Sequence, residues 1–168
     1  MSTLKVNTIQ EADGTAFPFG KILQVVQGTK TSEFSSTSTS YTDLTGLSVA
    51  ITPSTNSKIL AIVEIQAYLQ SDNDEGFGIQ LIRTPSGGSA STVFTSGSTQ
   101  DVRGYTNFTG EHIQMFVRSP WHILDSSVGG NGSTSITYKV QVKNETSSSI
   151  IYSQGGNTSS ITLMEIAA

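Results

Sequence analysis

The side chains that could perform acid–base or metal chemistry are few and poorly spaced for it. The chain has two histidines, His112 and His122, the residue type best suited to acid–base work near neutral pH, and they stand ten residues apart. Neither the i, i+2 spacing of one strand face nor the i, i+4 spacing of one helix face links them, so they read as surface or packed side chains rather than as a metal pair. The chain has no cysteine, which excludes thiolate nucleophiles, disulfides and cysteine-held zinc. Its 26 serines include none in a G-x-S-x-G turn, and no phosphate-cradling G-x-x-x-x-G-K-[ST] loop or G-x-G-x-x-G turn occurs. Asp72-Asn73-Asp74-Glu75-Gly76 has the acidity of a calcium loop, yet its glycine stands fifth and no acidic residue follows at the twelfth place. A solvated hairpin loop whose charges discourage edge pairing is the simpler reading, and Glu11 and Asp13 are read alike. These residues predict a protein that is not an enzyme and takes no cofactor or metal.

Contact chemistry is better represented. Trp121, Tyr105 and Phe108 fall in or beside segments that read as loops, where an aromatic face can stack on a sugar ring or anchor a partner. The opposing reading makes Trp121, the single tryptophan, a plug at one end of the core.

What must position these groups is a set of strands. Ser and Thr make up 48 of the 168 residues against 13% charged residues, and helix surfaces are normally built from Glu, Lys, Arg and Ala. Period-two alternation recurs: Leu47, Val49 and Ile51; Phe77, Ile79 and Leu81; Ile113, Met115 and Val117; Ile136, Tyr138, Val140 and Val142. Lys21 to Gln27, Ser149 to Ser153 and Ser160 to Ala167 are further candidates. Turn clusters at Pro53 to Asn56, Asp72 to Gly76, Pro85 to Gly88, Gly129 to Gly132 and Gly155 to Asn157 separate the runs. Eight to ten strands so punctuated imply an all-β antiparallel sandwich or barrel, with at most a short helical turn. The length suits one domain.

Two features point outward. Lys58 to Leu69 is apolar on both parities, with Leu60, Ile62 and Tyr68 opposite Ile59, Val63, Ile65 and Leu69, so it needs cover on both faces. The first 20 residues carry Leu4, Val6, Ile9, Phe17 and Phe19, too few for a core of their own. A homo-oligomer in which this leader (1–20) embraces the sandwich domain (21–168) of a neighbour satisfies both. The net charge of -4 argues against nucleic acid as a partner. No apolar run is long enough for membrane insertion, and no signal peptide precedes the leader, so synthesis in a cytoplasm is expected.

The segments TLKVNTIQ, GKILQVVQG, YTDLTGLSVAITPSTNSKILAIVEI, SITYKVQVK and SSITLMEIAA together resemble small virion structural proteins of marine and freshwater bacteriophages, including cyanophages, many of them tail-fibre-like. The resemblance covers most of the chain except about Asp72 to Gly110. It implies a sandwich of jelly-roll type, a homotrimer on the particle exterior, assembly in the host cytoplasm and contact with other capsid or tail proteins. Two placements follow: a capsid decoration (cement or head-fibre) protein held by its leader, or a short tail fibre that presents loops for host attachment. The alternative is a lectin-like module that binds host surface glycans through Trp121, Tyr105 or Phe108. A glycan-cleaving tailspike would need paired carboxylates in a groove, whereas the 13 acidic residues here are scattered.

Overall fold

The computed structural model describes residues 21–71, 74–96, 102–104 and 113–167. Eleven strands account for most of these: β1 (Ile22–Lys30), β2 (Phe34–Ser36), β3 (Thr42–Ile51), β4 (Lys58–Ser71), β5 (Glu75–Pro85), β6 (Ser91–Thr95), β7 (Val102–Gly104), β8 (Ile113–Asp125), β9 (Ile136–Asn144), β10 (Ile150–Tyr152) and β11 (Ser159–Ile166). Helix is confined, among the described residues, to one 3-10 turn at Gln154–Gly156, as the composition predicts.

All pairings are antiparallel. In the first sheet β8 lines one edge of β4 throughout, while β11 and then β10 line the other, with β1 and β2 beyond them. In the second sheet the order is β3, β9, β5, with β6 and β7 sharing the far edge of β5. Counting β6 and β7 as one and setting aside short β2 and β10, the first of eight principal strands pairs with the eighth, the second with the seventh, the third with the sixth and the fourth with the fifth. This nesting of a folded hairpin is the jelly roll.

The core lies where the two inner faces meet. Ile59, Ala61, Val63, Ile65, Ala67 and Leu69 of β4 face Phe77, Ile79 and Leu81 of β5 and Ile136, Tyr138, Val140 and Val142 of β9, all buried. The alternation at Ile136, Tyr138, Val140 and Val142 is met in full. In β3 the alternation Leu47, Val49, Ile51 is met, with Val49 half-buried against the core, and a register shift between Asp43 and Ser48 lets Leu44 point inward as well. Gly28 sits where β1 crosses β3, and a β-carbon there would lie 2.4 Å from the Ser48 carbonyl oxygen.

Buried polar groups join the layers. Asp125, at the end of β8, accepts two hydrogen bonds from Arg83 Nη1 at 2.8 and 2.7 Å and one from the Tyr138 hydroxyl at 2.8 Å. Burial, reinforced by this carboxylate, pushes the Tyr138 phenol far above its ordinary range. Asn144 donates to the carbonyls of Ser36 and Ser148 and accepts from the Tyr152 hydroxyl; each group would be costly to leave unpaired.

Several sequence expectations need correction. The acidic run is not a wholly solvated loop. Glu75 opens β5, is fully buried and accepts hydrogen bonds from the Gly76 and Thr146 amides and the Thr146 hydroxyl. Asp74 pairs with Arg103, while Asp72 and Asn73 lie outside the described residues. Trp121 is not beside a loop: it lies within β8, which runs on through Pro120 to Asp125. Proline is tolerated in a strand where its missing N–H faces away from the sheet, and among the described residues β8 pairs with β4 alone. The short strands β2, β6 and β7 escape the periodicity because each holds at most two apolar residues.

Candidate interaction surface

Sheet periodicity decides which side chains of the first sheet look outward. Odd-numbered residues of β4 fill the core, so Leu60, Ile62, Glu64, Gln66 and Tyr68 stand on its outer face. Register then fixes their neighbours. Leu60 is flanked by Leu124 of β8 and Met164 of β11, and Met164 in turn by Val25 of β1. Four apolar side chains therefore form one row across four strands. Ile62 lies between His122 and Thr162 in the next row, and Ile22 and Ile166 extend the patch at the strand ends.

Exposure separates this face from the rest of the surface. Among the described residues the large apolar side chains left exposed are Ile22, Leu23, Val25, Phe116 and Leu124, and every one belongs to β1 or β8 of the first sheet. Leu124 is 55% exposed and Val25 52%, although a single leucine fully buried contributes roughly 1.5–3 kcal/mol. The second sheet's outer face exposes no large apolar side chain among the described residues, its Ile82 being buried, and its polar groups pair with one another: Asp43 accepts from Lys139 Nζ at 2.8 Å and Gln141 Nε2 at 2.6 Å, and Gln80 Nε2 donates to Thr95 Oγ1 at 2.9 Å. The hydrogen bonds from Lys139 and Gln141 hold the Asp43 carboxyl below its ordinary value.

The apolar face has two parts. Beyond Ile62 comes a polar stripe in which Arg118 of β8 pairs with Glu64 of β4. Past it, Tyr68 and Phe116 sit opposite each other with ring centroids 4.7 Å apart. Leu124 and Phe116 are eight positions apart on β8, or roughly 25 Å at about 3.3 Å per residue.

The sequence-predicted residues are distributed unevenly over this geometry. Leu60 and Ile62 stand together on the outer face, half-buried by their cross-strand neighbours, and no described residue covers them as a second layer. Leu4, Val6, Ile9, Phe17 and Phe19 of the leader lie outside the described residues, as do Tyr105, Phe108 and His112. Trp121 points inward, its ring edge-on to Phe77 at 6.1 Å, half-buried at the core margin. His122 is exposed beside Ile62. Among the described residues no three His, Asp or Glu side chains come together as a metal cluster, and no helix is long and apolar enough to cross a membrane. Sequence reasoning missed Leu124, Val25 and Met164. Had β8 been followed past Pro120, Phe116 and Leu124 at its even positions would have marked apolar side chains on the face opposite Met115, Val117 and Ile123.

No protein-family model matches the sequence, and no curated protein matches it significantly. Among solved structures, the chain is similar to the infectious bursal disease virus Gx strain structure, with 14% identity and a TM-score of 0.41, covering 99% of this chain and 42% of that one. The Gt strain structure gives 12% identity and a TM-score of 0.32, covering 100% and 43%. A mutant VP2 protein of that virus, in derived T=1 particles, gives 13% and 0.33, covering 97% and 40%. The chain thus spans about two-fifths of the length of each. Likeness at these scores carries neither fold nor function across; the jelly-roll assignment rests on the strand pairing above.

Proposed function

We propose that this chain is a non-enzymatic virion structural protein of a bacteriophage, whose work is to assemble with copies of itself on the particle exterior. The observation that carries the self-assembly is the outward row Leu124, Leu60, Met164 and Val25 on one sheet, against a polar counterpart on the other. Exposed apolar surface collected on one face favours burial against a partner. The occupant is a second copy of the chain, and the segment that reaches it is the leader, which joins β1 at the edge of the patch and carries Leu4, Val6, Ile9, Phe17 and Phe19. Closed cyclic association of this kind satisfies every copy alike, and the trimer is the stoichiometry that the sequence resemblance supports.

The phage setting, and the choice between capsid decoration and short tail fibre, rest on that resemblance. Pro120 adds a reason for face rather than edge contact: a strand margin lacking one donor is a poor template for another strand. Sedimentation of the whole chain over a dilution series tests the assembly, and a trimer persisting on dilution is expected. A monomer at every concentration would overturn it. Labelling the chain in images of intact particles tests the setting, with signal on the capsid or tail exterior expected and absence from the particle as the contrary result.

A further inference from the structure

At the far end of the same face, away from the apolar row, lies a concave site of about 240 Å³ lined by Gln66, Phe116, Val117, Arg118 and Asn157. It arises from a break in the sheet. β11 leaves β4 at Glu64 and β10 joins it at Ala67, so Gln66 has no strand partner on that side. Its backbone is satisfied instead by the Ser159 side chain at the start of β11 and by the turn after β10, its N–H donating to Ser159 Oγ at 3.0 Å and its carbonyl accepting from the Ser153 N–H at 2.9 Å. Its side chain is not satisfied. Gln66 is only 4% exposed, and both its amide nitrogen and its amide oxygen are buried without a hydrogen-bond partner. Burying an amide in that state is unfavourable, and nothing in the packing of the core requires it, because the residue stands on the outer face.

The surroundings indicate what would pair with it. Phe116 is 65% exposed and stands beside Tyr68, with ring centroids 4.7 Å apart, so an aromatic side chain is open to solvent at the site. Arg118 is already neutralised by Glu64, so the site asks for no charge. Asn157 is held at the opposite wall by donating its Nδ2 to the Gln154 carbonyl at 2.8 Å. An amide offers one donor and one acceptor side by side, the complement of two adjacent hydroxyls, and an aromatic face suits the apolar side of a sugar ring. The volume falls below the roughly 300–1,000 Å³ of drug-sized ligand pockets, which suits a single ring.

We infer that this is a binding site for one neutral pyranose unit, with Phe116 as the stacking platform and Gln66 as the hydroxyl reader. It differs from the aromatic set Trp121, Tyr105 and Phe108 expected from the sequence, and it does not depend on the assembly reading, since the apolar row lies on the other side of the Glu64–Arg118 stripe.

The test is titration of the whole chain with the methyl glycosides of glucose, galactose, mannose and N-acetylglucosamine and with rhamnose, read by saturation-transfer and amide-shift NMR. At least one should bind saturably in the millimolar range, with shifts at Gln66 and Phe116. Phe116→Ala should weaken that binding by about tenfold or more. Gln66→Leu should abolish it while leaving the melting temperature unchanged or raised, because it removes an unpaired buried amide. Failure of every sugar to bind, retention of binding by Phe116→Ala, or a large drop in melting temperature for Gln66→Leu would overturn the assignment. Sedimentation of Phe116→Ala should match the parent, so the two readings fail separately.

Discussion

The two sheets of this sandwich share one core and treat solvent oppositely. The outer face of the β3–β9–β5 sheet pairs its groups with one another, as in the Asp43, Lys139 and Gln141 cluster. The outer face of the β8–β4–β11–β1 sheet leaves Leu124 and Val25 half uncovered. Inner faces are governed by folding alone, whereas an outer face records what the protein meets. The contrast places the exposed apolar side chains on one side of the molecule and mutually paired polar groups on the other.

If that division holds, substitutions should sort by layer. The largest loss of stability should come from the tie between the sheets. Asp125→Ala strands the Arg83 guanidinium and the Tyr138 hydroxyl, and removing one partner of a buried ion pair typically costs about 3–5 kcal/mol; urea denaturation would measure it. A loss below about 1 kcal/mol would mean that the cluster behaves like surface.

Next comes Gly28→Ala, whose new methyl would meet the Ser48 carbonyl at 2.4 Å and force β1 away from β3. Overpacking of this kind costs about 1–3 kcal/mol, seen as a lower midpoint. An unchanged midpoint would show that the sandwich edge yields freely.

A smaller effect should appear in acid. Burial pushes the Glu165 carboxyl upward, but hydrogen bonds from Gln24, from the Ser54 amide and from Ser57 outweigh it and hold the group below its ordinary value. A carboxyl depressed by folding adds stability above its unfolded pKa, and that contribution disappears as pH falls through the folded value. Melting temperature should therefore decline with acidification below about pH 4.3, and less steeply in Glu165→Gln. Parallel declines would remove Glu165 from the account.

The sequence made the inner faces legible because burial on a pleated strand imposes a period of two, as at Ile136 to Val142. It also exposed the double-sided character of β4 through Leu60 and Ile62. Other parts were hidden for physical reasons. Glu75 reads as a solvated charge until its acceptors' donors, supplied by Thr146 about seventy residues away, are brought beside it. Pro120 reads as a strand stop, and only its edge position makes it tolerable there. The Gln66 site depends on where two strands part from a third, and register between distant segments leaves no local signature. The row joining Leu124, Leu60, Met164 and Val25 is hidden for the same reason, since its members span four strands and 140 positions.

The smallest effects on stability should come from the outer faces, where surface changes usually stay within about 0.5 kcal/mol. There the readout is mass instead. Native mass spectrometry over a dilution series, applied to Leu124→Glu on the apolar face and to Thr137→Glu on the polar one, tests the central claim most directly. The account predicts a persistent oligomer for the parent and for Thr137→Glu, and a folded monomer for Leu124→Glu. A monomeric parent, or two variants that assemble alike, would contradict it.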